Sequence, residues 1–304
     1  GYGLRRPAYL TPSTPRASIM RFSILLSATM LLSAPAWADT RVDDRHVLAT
    51  GGRVELGNIA GKVSVRGWDR NEVQLTGTLS DGLTLKPDKS ANRVRWEVEY
   101  PRRSNNGGAT LELRVPRAVE LELSTISADM DVSGIDVKRL QASTVSGDIR
   151  VAGRAGESAL TTVSGDLASQ LQTARMDART VSGSIRADGG GSGEIGAATV
   201  SGQIGVDAGR TQRLAVETVS GNVDVSASAL APGGRISVES VSAPISLRLP
   251  RNVSAQLSVE SFSGTIDSDA GKVERPRHGP GSSLDARLGS GDGDISLQSH
   301  SGKV

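Results

Sequence analysis

The chain has 304 residues, 36 of them Gly and only 3% aromatic, so any core must be made of small and β-branched side chains. With 37% hydrophobic residues and a formal net charge of +2, it is too apolar and too weakly charged for wholesale disorder. It contains no Cys, which excludes disulfides and an anchor built on a lipidated Cys.

In chain order, residues 1–38 read as an upstream leader followed by a Sec signal peptide that starts near Met20. Arg21, the apolar run from Phe22 to Leu32 and the small-x-small site Ala36-Trp37-Ala38 follow the layout of such a peptide, with cleavage expected near Ala38. The run is too short to span a membrane. Pro7, Pro12 and Pro15 separate Arg5-Arg6 from it, which sets aside a twin-arginine signal. Without the four Arg of residues 1–38, the expected mature chain holds 31 basic against 33 acidic side chains. That balance leaves no basic footprint for nucleic acid. No later apolar segment reaches spanning length, so the expected address is periplasmic or secreted.

Residues 39–120 are expected to form an N-terminal β cap. They contain alternating runs such as Glu72–Thr78 and Arg93–Tyr100, together with Trp68, Trp96 and Tyr100. Both Trp residues are expected in the cap core, and an exposed Trp there would be the best anchor for a ligand. Asn58-Ile59-Ala60-Gly61 reads as a diverged first copy of the motif that follows.

Residues 121–304 form the expected β-repeat domain. Thr-Val-Ser-Gly recurs at 144–147, 162–165, 180–183, 199–202 and 218–221. Degenerate copies are Thr125-Ile126-Ser127-Ala128, Ser240-Val241-Ser242-Ala243 and Ser261-Phe262-Ser263-Gly264, and a weak last copy centres on Gly293. Before each Val, apolar residues alternate (Leu140 and Ala142, Leu214 and Val216), and after it they alternate again in the opposite phase (Val145, Gly147, Ile149, Val151). Each run has the period of a strand with one face buried. A slip of one residue reverses the buried face, so a corner falls between Thr and Val, with the Val/Phe ladder on the buried side. Coils of 18–22 residues stacked in this way predict a β-solenoid. Packed antiparallel sheets are the alternative, because spacing alone does not set strand direction. Residues 271–292 are rich in Pro and Gly and read as an insertion.

Repeated Thr-Val-Ser-Gly-Asp-Ile, preceded by Val63-Ser64-Val65-Arg66-Gly67-Trp68-Asp69-Arg70-Asn71-Glu72-Val73, resembles a bacterial domain-of-unknown-function family of β-strand-repeat proteins labelled as adhesins. The resemblance covers about residues 45–304. It implies an all-β repeat fold and an envelope or extracellular address, and it brings no catalytic residues with it.

No catalytic, cofactor or metal site is expected. Gly191-Ser192-Gly193-Glu194-Ile195-Gly196 spells the dinucleotide fingerprint, but another repeat follows it instead of the helix that fingerprint needs. Asp148, Asp166, Asn222 and Asp294 share one position after the motif Gly, yet Ser184, Gln203, Pro244 and Thr265 occupy it elsewhere, too few carboxylates for a calcium ladder. His46, His278 and His300 are scattered, and Asp129 with Asp131 suits an ordinary turn. Phe262 is expected to pack in the core. The reading is a non-enzymatic envelope protein, an adhesin-like interaction or structural scaffold whose partner is an unknown envelope protein or glycan. The alternative is a glycan-active hydrolase or lyase on the same scaffold. A face that gathers carboxylates in a groove would separate the two.

Overall fold

A computed structural model describes residues 39–101, 107–275 and 280–304, and every regular element among them is a strand. The expected leader and signal peptide, and His278, lie outside the described residues. The first strands are β1 (Thr40–Val47), β2 (Arg53–Gly67), β3 (Glu72–Leu79), β4 (Thr84–Lys89), β5 (Arg93–Glu99) and β6 (Ala109–Val115). The repeats supply β7 (Glu120–Ser143), β8 (Ile149–Thr161), β9 (Leu167–Arg179), β10 (Ile185–Asp188) and β11 (Gly193–Ser201). They continue with β12 (Ile204–Ser220), β13 (Val223–Ser240), β14 (Ile245–Arg248) and β15 (Ala255–Ser261), before β16 (Ser282–Leu288) and β17 (Gly293–Ser299).

Successive repeats pair in parallel and in register. One ladder runs Met130, Ile149, Leu167, Ile185, Ile204, Val223, Ile245. A second, before the corner, runs Leu140, Ser158, Met176, Ile195, Leu214, Ile236. β10 and β11 both lie between β9 and β12, because they are two parts of one repeat interrupted near Gly190. A single repeat has too little apolar surface to bury alone, so the stack makes the core collectively.

The corner is real, but its sides are not those expected. Thr144 continues the inward phase of Leu140 and Ala142, and the Val that follows points outward. Thr162 is 1% exposed, whereas Val163 is 44% exposed, so the Val/Phe ladder is not core. The reason lies in hydrogen bonding. The Thr162 hydroxyl donates to the Gly147 carbonyl at 3.3 Å, Thr180 to Gly165 and Thr199 to Gly183, also at 3.3 Å. At a bend the chain turns a carbonyl toward the interior, and a buried carbonyl requires a donor. Thr combines a β-branched shape with that donor, and Val lacks it.

The motif Gly has an equally local cause. A Cβ at Gly165 would lie 2.1 Å from the Gly147 carbonyl oxygen, and one at Gly202 would lie 2.0 Å from that of Gly183. Backbones at the corner therefore approach closer than any side chain permits.

Both ends of the stack depart from chain order. β2 pairs in parallel with β7 on one edge and with β5 and β6 on the other, so the later segment lies outside the earlier one. Asn58 and Gly61 then align with Thr125 and Ala128, as the diverged copy predicts. β4 and β3 pair antiparallel with β5 and β6, and β1 pairs with β3. These antiparallel strands cover the outer edge of the parallel stack. At the other end β17 inserts in parallel between β13 and β15, and β16 closes antiparallel on β15.

That insertion moves the last motif copy. Asp294 pairs with Arg235 and Gln256, which puts Gly293 before the corner and removes Asp294 from the ladder position of Asp148 and Asp166. The corner copy is Ser299-His300-Ser301-Gly302, with Gly302 stacked between Ala243 and Gly264.

Under the N-terminal strands, Trp96 is fully buried, and its indole N–H donates to Asp44 Oδ2 at 2.7 Å. Burial pushes the Asp44 carboxyl up, but hydrogen bonds from Lys89 and Trp96 outweigh it and leave the group below the usual range. Arg93 holds Glu55 low, and Arg53 holds Glu120 low. Folded pKa values below the unfolded ones stabilise the fold above roughly pH 4, and that contribution is lost as pH falls through the folded values. We expect the denaturation midpoint to be flat from pH 7 to 5 and to drop below about pH 4. Asp44→Asn should flatten the drop; an identical acid profile in that variant would remove Asp44 from the account.

Candidate interaction groove

The outward residue of each corner builds a stripe. Val145, Val163, Val181, Val200, Val219 and Val241 are each 44–49% exposed, Ile126 precedes them, and Phe262 at the far end is 52% exposed. Hydrogen bonds between neighbouring corners, such as Ser182 N–H to the Val163 carbonyl at 2.9 Å and Ser201 N–H to Val181 at 3.0 Å, hold the stripe in register. His300 enters through β17 and stacks on Phe262, with ring centroids 4.8 Å apart and planes 8° from parallel. Phe262 is thus a surface residue and His300 a member of the stripe, contrary to the core and unrelated positions expected for them.

The stripe is one wall of a groove of about 1220 Å³. The buried Thr and Ser of the motif form its floor. The residue two before each Val forms the second wall: Thr161, Arg179, Ala198, Glu217, Glu239, Gln298 and Glu260. Glu274, Arg275, Ser282 and Ser283, from the segment read as an insertion, line one end.

From Glu217 to Glu260 the charge on the second wall is acidic. Glu217 and Glu239 are direct neighbours in register, and Gln298 stands between Glu239 and Glu260. These three carboxylates form no ion pair among the described residues, whereas several acids in other columns do. Glu157 meets Arg139 at 2.8 Å, Glu194 meets Arg175 at 2.7 Å, and Asp294 meets Arg235 at 3.2 Å. Like charges placed directly opposite in a sheet are destabilising, so the row costs the fold something. Glu217, Glu239 and Glu260 are all exposed. No buried setting divides them into an acid and a base.

The other residues singled out in the sequence have structural roles. Asp129, Asp148 and Asp166 each accept a backbone N–H from the next repeat, donated by Asp148, Asp166 and Ser184 at 3.0, 3.0 and 2.8 Å. Asp131 is paired with Arg66 at 2.9 Å. Gly193 to Gly196 lie on β11, and no helix follows them. His46 Nε2 lies 2.6 Å from the Ser90 carbonyl. Trp68 is half-buried: its indole N–H donates to the Glu72 carbonyl at 2.7 Å, and the guanidinium groups of Arg70 and Arg114 lie 5.2 and 5.8 Å from its ring. No group of three or more His, Asp or Glu side chains able to hold a metal occurs among the described residues.

The stripe went unseen in the sequence because Val invites a core assignment. A signal was nonetheless present. The Thr position accepts only Thr, Ser or Asn58 across the copies, whereas the Val position accepts Ile126, Val145 and Phe262. A packed core column tolerates such changes of volume poorly, and a surface position tolerates them well.

Fold and groove together define an all-β protein of parallel repeats that turns an apolar ladder outward. The chain belongs to the Toastrack DUF4097 family, whose profile matches residues 52–188 and 104–304. That family is the domain-of-unknown-function family of adhesin-labelled proteins that the motifs resemble. No curated protein matches the chain. Similar solved structures include an adhesin-labelled protein of Bacteroides fragilis, 8% identical over 88% of this chain and 99% of that one, with a TM-score of 0.34. A Clostridium sporogenes protein labelled for cell adhesion is 10% identical over 87% and 97%, with a TM-score of 0.21. A Parabacteroides distasonis protein labelled as lipid-binding is 10% identical over 87% and 96%, with a TM-score of 0.39.

Proposed function

We propose that this chain is an exported, non-enzymatic protein of the cell envelope, a β-solenoid with a cap of antiparallel strands at its N-terminal end, that holds a partner along the valine stripe. The observation that carries this reading is the stripe itself. The corners use an inward hydroxyl, Thr or Ser, and in most copies a Gly, but folding does not need an apolar side chain pointing at water between them. Contiguous exposed apolar surface on a soluble protein marks an interaction site. The signal-peptide layout at Met20–Ala38 supports export, and the small-residue composition suits a scaffold more than a catalyst.

A second reading, a glycan-active hydrolase or lyase, draws on Glu217, Glu239 and Glu260 in the groove. Their common exposure favours binding over acid–base catalysis.

The test is a photo-crosslinking amino acid at Val200 of the mature chain, compared with one at Arg154, which is exposed on a different edge of the repeat. Adducts specific to position 200, from cells in which the chain fractionates outside the cytoplasm, are expected. Equal labelling at both positions, or retention of the chain in the cytoplasm, would overturn the proposal.

A further inference from the structure

The groove carries enough detail to say what kind of partner suits it, on the reading that the stripe is a binding surface. Three features bear on the choice. The rail is uniform: from Val163 to Val241 each step presents the same branched side chain. It has no separate pockets, which suits a featureless chain better than a succession of distinct side chains. From Val163 to Phe262 the rail has six intervals, about 29 Å at the usual strand spacing.

The second feature is the groove's spent hydrogen bonding. The Thr162, Thr180 and Thr199 hydroxyls donate to Gly carbonyls, and the Ser240 hydroxyl donates to the Ala243 carbonyl and accepts its N–H. The Val163, Val181 and Val219 carbonyls accept from the next corner. A peptide backbone or a glycan laid along the rail would lose water partners and find few replacements, an expensive exchange. An aliphatic chain loses nothing.

The third feature is the pair Glu217 and Glu239, direct neighbours facing the rail and in no ion pair among the described residues, while Arg179 and Arg275 line other parts of the groove. A positively charged group relieves the repulsion of neighbouring carboxylates, and an ammonium with several donors fits between the two.

We infer that the groove binds an amine-headed lipid, its aliphatic chain along the valine rail and its ammonium between the neighbouring Glu217 and Glu239. The probes are n-alkylamines and n-alkanoates of eight to twelve carbons, titrated calorimetrically into the mature chain below their aggregation concentrations. Alkylamine affinity is expected to rise about fourfold per added methylene, the equivalent of one buried CH₂. Alkanoates of equal length are expected to bind at least about tenfold more weakly. The double variant E217Q/E239Q should lose the preference for amines and keep the dependence on length. V181S/V200S/V219S should lose the dependence on length. Unchanged circular dichroism and thermal midpoint in both variants separate these effects from misfolding.

Alkylamine binding that ignores chain length, or that alkanoates match, would overturn the inference. Specific crosslinking at Val200 without alkylamine binding would also overturn it, while leaving the groove as an interaction site for another partner. Length-dependent, amine-selective binding that both variants abolish as described would support it.

Discussion

Gly202→Ala should destabilise the chain by about 3 kcal/mol, the scale of core overpacking combined with backbone strain. The new methyl would lie 2.0 Å from the Gly183 carbonyl oxygen and 2.6 Å from its carbon, at a backbone φ of +148° that L side chains rarely adopt. Relief would require the 183 and 202 corners to separate, which would break the ladder that also holds their neighbours. Two changes in the same copy provide the contrast. Thr199→Val removes the donor to the Gly183 carbonyl and should cost about 1–3 kcal/mol. Val200→Ala trims an exposed side chain and should stay within about 0.5 kcal/mol. Urea unfolding of the three variants measures the order directly. Equal midpoints for Gly202→Ala and Val200→Ala would mean that the corner does not pack as closely as described.

Trp96→Ala should be the other severe change, costing about 3–5 kcal/mol as expected for deletion of a buried indole. Among the described residues, Trp96 is the only aromatic side chain among the largest fully buried ones, so the N-terminal strands depend on one ring more than the repeats depend on any single side chain. The deletion also removes a donor from Asp44 and leaves that carboxylate with Lys89. Trp96→Phe keeps an aromatic ring but loses the N–H and part of the indole's volume, so its cost should fall to about 1–3 kcal/mol. Thermal unfolding of both variants tests this. If Phe and Ala proved equally harmful, the hydrogen bond to Asp44 would matter more than the packing.

Much of the architecture follows from the periodicity of the chain. Alternation on either side of each corner marks strands, and a repeat of nearly constant length requires like residues to stack. Parallel direction was not legible, since hairpins of the same length would show the same alternation. It is the register of Ile149 on Leu167 and Ile185 that establishes it. The order of repeats at the ends was equally hidden. Alternation within a strand records which face is buried, but not which neighbour lies beside it. β17 could thus enter between β13 and β15 and carry His300 into the stripe without a trace in the spacing.

The Thr-Val-Ser-Gly motif shows where sequence and tertiary structure divide the work. The sequence alone determined that a corner recurs, that Gly recurs in most of its copies, and that the buried face changes there, because these are properties of a local chain with period two. Only the tertiary structure decided that Thr faces inward and Val outward. That choice depends on a carbonyl from the preceding repeat, which points into the core and requires a donor. The partner in that hydrogen bond lies 15–16 residues away in sequence but directly beside the corner in space. The same outward turn that satisfies the carbonyl places one apolar side chain per repeat on the surface, and stacking turns those side chains into the wall of a groove.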